Sequence, residues 1–194
     1  MSETKTRNKI LNIARELLAS GGLGAISFDA IARRLGHSKQ AVLYWFPTKH
    51  DLLAAMFLPS LEAEAEVAIQ SVANVANQNE AISAFVRAVA AFHIGDLNRF
   101  RMMYLLPQTI RPTRHDVANK KMLEKVHPVT DEIYDALSAH LDGDIVAARR
   151  KAAVVHSAVL GLVLMFSLAD GLKDPLKHTQ NELVDALIAS LAEA

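Results

Sequence analysis

Between residues 27 and 49 the chain gathers side chains suited to holding a polyanion and reading what it carries. Ser38, Lys39 and Gln40 stand together at the expected start of a helix. There the open backbone amides and a serine hydroxyl can bind a phosphate. Lysine can reach toward guanine in a major groove and glutamine toward adenine. Leu43 and Tyr44 follow on the outer face of the same helix, while Ala41, Val42, Trp45 and Phe46 lean inward. Lys49, at the start of the next helix, points toward the backbone of the same groove. This chemistry is non-covalent: charge neutralisation and edge recognition on duplex nucleic acid. The plainer reading of these residues is a helical hairpin with solvated charges.

The elements that position them are short and capped. Thr6 is placed to cap a first helix whose apolar stripe is Ile10, Ile13, Ala14, Leu17 and Leu18, and Gly21 and Gly22 stop it. Ser27 caps a second helix, with Asp29 in its first turn and Phe28, Ile31, Ala32 and Leu35 turned inward. Gly36 ends that helix, Ser38 caps a third running through Phe46, and Pro47 breaks it. Two short helices joined across a glycine are the layout of a helix-turn-helix, whose second helix enters a major groove. Charge agrees with this. Residues 1–50 carry eight Lys/Arg against three acidic residues, a net +5, and the remainder of this neutral chain carries −5. A basic head on an acidic body suits a polyanionic partner.

Past the head the periodicity stays helical. Thr48 caps a long fourth helix kinked at Pro59 and running to about residue 74, and Asn79 opens another to about Gly95. A short helix holds Phe100, Met103 and Tyr104, and Pro107–His115 is the least regular stretch. Helices are expected at about 116–141, 144–172 and 179–192, and no stretch alternates like a strand for long. The fold class is all-α with about nine helices: a three-helix head over residues 1–50, joined by a long helix to a bundle within 51–194. With 194 residues and 51% apolar composition, the chain can bury a core without staples. No cysteine is present, which excludes a disulfide framework, a zinc–thiolate site and a cysteine nucleophile, and suits a reducing cytoplasm. The polar, basic start MSETKTRNK lacks a signal-peptide core. The apolar stretch 152–172 has nearly the length of a membrane span, but its glycines, alanines and His156 suit a buried bundle helix better, so no membrane partner is expected.

GGLGAISFDAIARRLGHSKQAVLYWFPTKHDLL resembles the DNA-binding head of the tetracycline-repressor (TetR) family. The resemblance rests on Gly21–Gly22, Ser27, Ile31–Ala32, Leu35–Gly36, Ser38–Lys39, Phe46-Pro47-Thr48-Lys49 and Leu52–Leu53, within residues 6–55. It implies phosphate or base contacts from Ser27, Ser38, Lys39, Gln40, Tyr44 and Lys49. Leu43 falls where the family has a backbone-contacting tyrosine. Either Tyr44 takes over that contact or Leu43 packs on a thymine methyl. The resemblance further implies a homodimer, a double-stranded DNA operator and a small-molecule effector that releases a repressor.

For the dimer there is independent sequence support. The 144–172 helix is apolar nearly all round, and the last helix adds Leu183 and Ile188, so two helices per subunit could form a four-helix seam. Val159, Leu160, Val163, Leu164, Leu187 and Leu191 are its candidate residues; the alternative is that both helices are core of one subunit. Phe92, His93, Met102, Met103, Tyr104 and Phe166 are the candidate pocket lining, with Arg99, Gln108 or Arg111 near its mouth, although such residues are also ordinary core. His156 reads best as a satisfied core or interface histidine. No cofactor and no metal are expected. A di-iron carboxylate enzyme would need two Glu-x-x-His motifs, and only Glu124–His127 fits, directly before Pro128. Phosphate-loop and serine-hydrolase signatures are absent from the sequence. An enzyme is therefore not expected. A helical protein-interaction module is the third reading, and it leaves the +5 head unexplained.

Overall fold

A computed structural model describes residues 3–105 and 117–192. Among the described residues there are nine α-helices and one π-helical turn, with no strand. Two compact units emerge: residues 1–60 with 102–125, and residues 61–101 with 126–194.

In the first unit, α1 (Glu3–Ala25), α2 (Phe28–Leu35) and α3 (Lys39–Trp45) are followed by the start of α4 (Lys49–Val72). α1 packs on α2, and α2 on α3. Their inward residues, Ile10, Ala14, Leu17, Ile31, Val42, Phe46, Leu52 and Leu53, are buried, as their helical spacing predicts. Thr6 is not the cap of α1 but lies inside it, because nothing between Glu3 and Lys9 interrupts a helix. The glycine break falls at Gly22, whose φ of 65° is open to glycine without steric cost, and the helix resumes to Ala25.

In the second unit, α5 (Gln78–Ile94) packs on α8 (Ile145–Leu172) and α9 (Gln180–Ala192), and α8 packs on α9. The short α6 (Leu97–Phe100) leans on α5 and α8 and passes into the π turn Arg101–Leu105. α7 spans Val117–Ser138 and contains Pro128. The cap of α5 is Asn77 rather than Asn79. Its side chain accepts from the Glu80 amide at 3.0 Å, and the Glu80 carboxylate accepts from the Ala76 amide at 3.0 Å, a reciprocal capping arrangement. Asp144, at the expected start of α8, is its cap, accepting from the Ala147 amide at 2.8 Å. By length and composition α8 could cross a membrane, yet Ala152, Val155, Val159, Val163 and Phe166 form one buried stripe along it. Arg101 anchors the start of the π turn, donating to the Ser167 carbonyl and the Asp170 carboxylate, each at 2.7 Å.

Candidate nucleic-acid interface

The head's geometry starts from its two serines. Ser27 takes extended backbone angles and its hydroxyl oxygen accepts from the Ala30 amide at 3.1 Å. Ser38 does the same for α3, accepting from the Ala41 amide at 3.3 Å. Each hydroxyl keeps its proton to donate elsewhere, so a cap and a phosphate contact are compatible. Between them Gly36 sits at φ 72°, ψ 29°, and the His37 amide donates to the Ala32 carbonyl at 3.0 Å. This left-handed ending turns the chain sharply enough to launch α3 across α2.

α3 is two-faced. Val42 and the adjoining Phe46 are buried, and the Arg7 guanidinium lies 5.3 Å from the Phe46 ring centre. Lys39, Gln40 and Tyr44 are exposed; Tyr44 at 73% is the most open aromatic of the head, resting edge-on against Trp45 at 5.3 Å. Leu43 is only half-exposed, so of the two residues offered for the tyrosine contact Tyr44 projects further. Lys49 opens α4, whose first turn is fixed by Thr48 and Asp51. The Thr48 hydroxyl donates to the Asp51 carboxylate at 2.7 Å, and the Asp51 amide donates to the Thr48 hydroxyl at 3.1 Å. Ser27, Lys39 and Lys49 converge on one cleft of about 230 Å³, together with Ile26, Phe28, Asp29 and Leu52. In that cleft Lys39 Nζ lies 2.9 Å from Asp29 Oδ2, an ion pair that no sequence pattern announces.

The second unit holds a polar cluster in its core. Glu64 on α4 is fully buried, and its Oε1 accepts from His156 Nε2 on α8 at 3.0 Å. His93 Nε2 on α5 lies 3.0 Å from the same oxygen. Burial alone would raise the Glu64 pKa; hydrogen bonds from His156 and His93 more than offset it and hold the carboxyl down at about 2. Phe85 and Tyr134 pack edge-on against the His156 ring, each with centroids 5.8 Å away. Burial, followed by the Glu64 charge, pushes the Tyr134 hydroxyl above its usual value. Among the described residues no group of three His, Asp or Glu is arranged to hold a metal. His156 spends Nε2 on the carboxylate, and among the described residues its Nδ1 has no partner of the kind that orients a metal ligand. Glu124 and His127 are solvated on α7.

The candidate pocket residues separate. Phe92, His93 and Phe166 belong to the second unit, and Met102, Met103 and Tyr104 to the first. Phe92 is half-buried beneath the Arg99 guanidinium, 3.8 Å from its ring centre, and stands edge-on to His93 at 5.0 Å. Gln108 and Arg111 lie outside the described residues. For the dimer candidates the structure makes a correction: Val159 and Val163 are fully buried core of their own unit and present nothing to a second subunit. Leu160, Leu164, Leu187 and Leu191 are half-exposed. Ile145 and Val146 are open at the start of α8, and further along it Val154, Met165, Leu168 and Leu172 are open apolar residues, with exposed Ser157 and Gly161 between them.

Capped α2 and α3, the left-handed glycine and the exposed outer face of α3 define a helix-turn-helix protein. Residues 10–56 match the model of the bacterial regulatory proteins of the tetR family. The match covers the head and marks those residues as a DNA-binding helix-turn-helix of that family. The whole chain shares its fold with solved structures. The TetR-family regulator PfmR from Thermus thermophilus superposes with a TM-score of 0.66 at 19% identity, covering 95% of this chain and 97% of that one. FadR from Bacillus subtilis, solved in complex with stearoyl-CoA, gives 0.68 at 15% identity, covering 95% and 96%. A TetR/AcrR-family regulator from Thermobifida fusca gives 0.61 at 23% identity, covering 95% of each chain. No curated protein sequence matches the chain.

Proposed function

We propose that this protein is a repressor that binds a palindromic operator as a homodimer and is released by a small-molecule inducer. The observation that carries the reading is the two-faced α3, whose inner side is packed while Lys39, Gln40 and Tyr44 are exposed. Ser27, Ser38 and Lys49 flank that face and supply contacts to the DNA backbone, with Leu43 beside Tyr44 as the apolar contact. Val154, Met165, Leu168 and Leu172 recur at helical spacing on α8, and such an open apolar stripe supports pairing with a second copy. Leu160, Leu164, Leu187 and Leu191 border it. Two heads held by a two-fold axis would read half-sites about one helical turn apart.

The inducer is proposed from the fold that the chain shares with FadR, whose structure holds stearoyl-CoA. Phe92, His93 and Phe166 are candidates for effector contact in the second unit, and Met102, Met103 and Tyr104 in the first. An effector acts only through its different affinities for the DNA-competent and incompetent states.

Selection of random duplex DNA by the purified protein, followed by sequencing, tests the proposal. A palindrome with half-sites about one turn apart is the expected result. Retention of a single unrepeated half-site would refute the dimeric mode, and no enrichment at low salt by folded protein would refute operator recognition altogether.

A further inference from the structure

We propose that Asp29 is a built-in competitor for DNA: it holds the Lys39 ammonium in an ion pair that DNA must displace, and so holds down the affinity of the head for DNA. This rests on the reading of α3 as the helix that meets DNA. Asp29 stands in the first turn of α2 and Lys39 at the first position of α3, so the turn at Gly36 brings together two side chains ten positions apart, 2.9 Å from each other. They share a cleft with Ser27 and Lys49, and Asp29 is its only acid among the described residues. Both partners face water, with side-chain exposures of 51% for Lys39 and 62% for Asp29. A pair this exposed is weak enough to exchange, roughly fivefold in an equilibrium constant at most.

On a matching site Lys39 leaves Asp29 for acceptors on a base edge. On other sequences it returns to the carboxylate, and a positive charge that could have met a phosphate stays neutralised. Asp29 therefore removes about one phosphate contact from non-specific binding, and costs the operator the full worth of the pair.

The test uses the full-length protein, anisotropy of a labelled random-sequence duplex and of the selected operator, and a salt series. Asp29→Asn is expected to tighten random-duplex binding by up to about fivefold. It should also steepen its log–log salt dependence by about 0.9. Operator binding should tighten by at least the same factor, because the pair is broken there in full. Asp29→Glu keeps the charge and should behave as the parent. Asp29→Asn in a Lys39→Gln background should give little gain, because the lysine to be released is gone. Unchanged random-duplex affinity and slope in folded Asp29→Asn, confirmed by circular dichroism, would overturn the inference. So would a full gain without Lys39, or a loss confined to the operator, which would make Asp29 a positioner of Lys39. If the parent protein itself lacks salt-dependent duplex binding, it is the DNA reading of α3 that fails.

Discussion

Replacing Glu64 with glutamine removes one buried charge and almost nothing else. The amide is the same size, and its oxygen can still accept from His156 Nε2. In the folded chain the carboxyl titrates at about 2, against 4.5 when unperturbed. At about 1.4 kcal/mol per unit, that difference is worth about 3 kcal/mol of stability. The folded value is the lower one, so the contribution is fully present above pH 4.5 and is lost as pH falls from there toward 2. At pH 7, Glu64→Gln should therefore lose about 3 kcal/mol. In a chain of this size that lowers the thermal midpoint by roughly 6–12 °C. Urea unfolding of both proteins at pH 7, 5, 4 and 3, at one fixed protomer concentration, measures the gap directly. The gap should close as the pH drops below 4.5. A gap under about 1 kcal/mol at pH 7, or one that stays constant to pH 3, would refute the claim that two histidines stabilise an ionised carboxylate here.

Four further outcomes follow from the head and from α8. Lys49→Ala should weaken binding to every duplex and reduce the salt slope by about 1, whereas Gln40→Ala should change the selected sequence; a Gln40→Ala variant that loses affinity equally on all sequences would show that Gln40 reads no base. Gly36→Ala meets no atom within 4 Å of an added Cβ, but must hold φ 72°, so denaturation should show a loss of about 1–2 kcal/mol. Full stability there would mean that the left-handed turn is not required. Met165→Glu, on the open stripe of α8, should leave the protomer folded and shift sedimentation from dimer toward monomer; an unchanged dimer would place the seam elsewhere.

Local signals are legible in the sequence and long-range ones are not. Ser27, Ser38 and Asp144 announce their helices because a cap is decided within three residues, and Gly36 is visible for the same reason. Asn79 is the wrong choice among neighbouring asparagines; the pairing of Asn77 with Glu80 carries the true signal. Glu64 lies on the apolar spacing of Leu61, Ala65 and Ala68, which could have marked it as buried. Its partners come from 29 and 92 positions away, and no local pattern supplies those. Lys39 is legible as a cation for DNA, but its pairing with Asp29 depends on how α3 crosses α2. α8 fails in another way. Apolar on every side, it offers no contrast to separate Val159 and Val163, which face their own core, from Met165 and Leu172, which do not.

Gly161 gives that helix a second significance. It sits mid-helix and exposed, with no atom within 4 Å of the position a Cβ would take. Alanine there would fit the single chain and stabilise the helix by about 1 kcal/mol. If a second copy docks on this stripe, the missing side chain lets two backbones approach closely, and the protomer carries a standing cost that only the pair recovers. Selection for a stable monomer and selection for a tight pair then pull this one position in opposite directions. A chain evolving toward independence from its partner would fill it first.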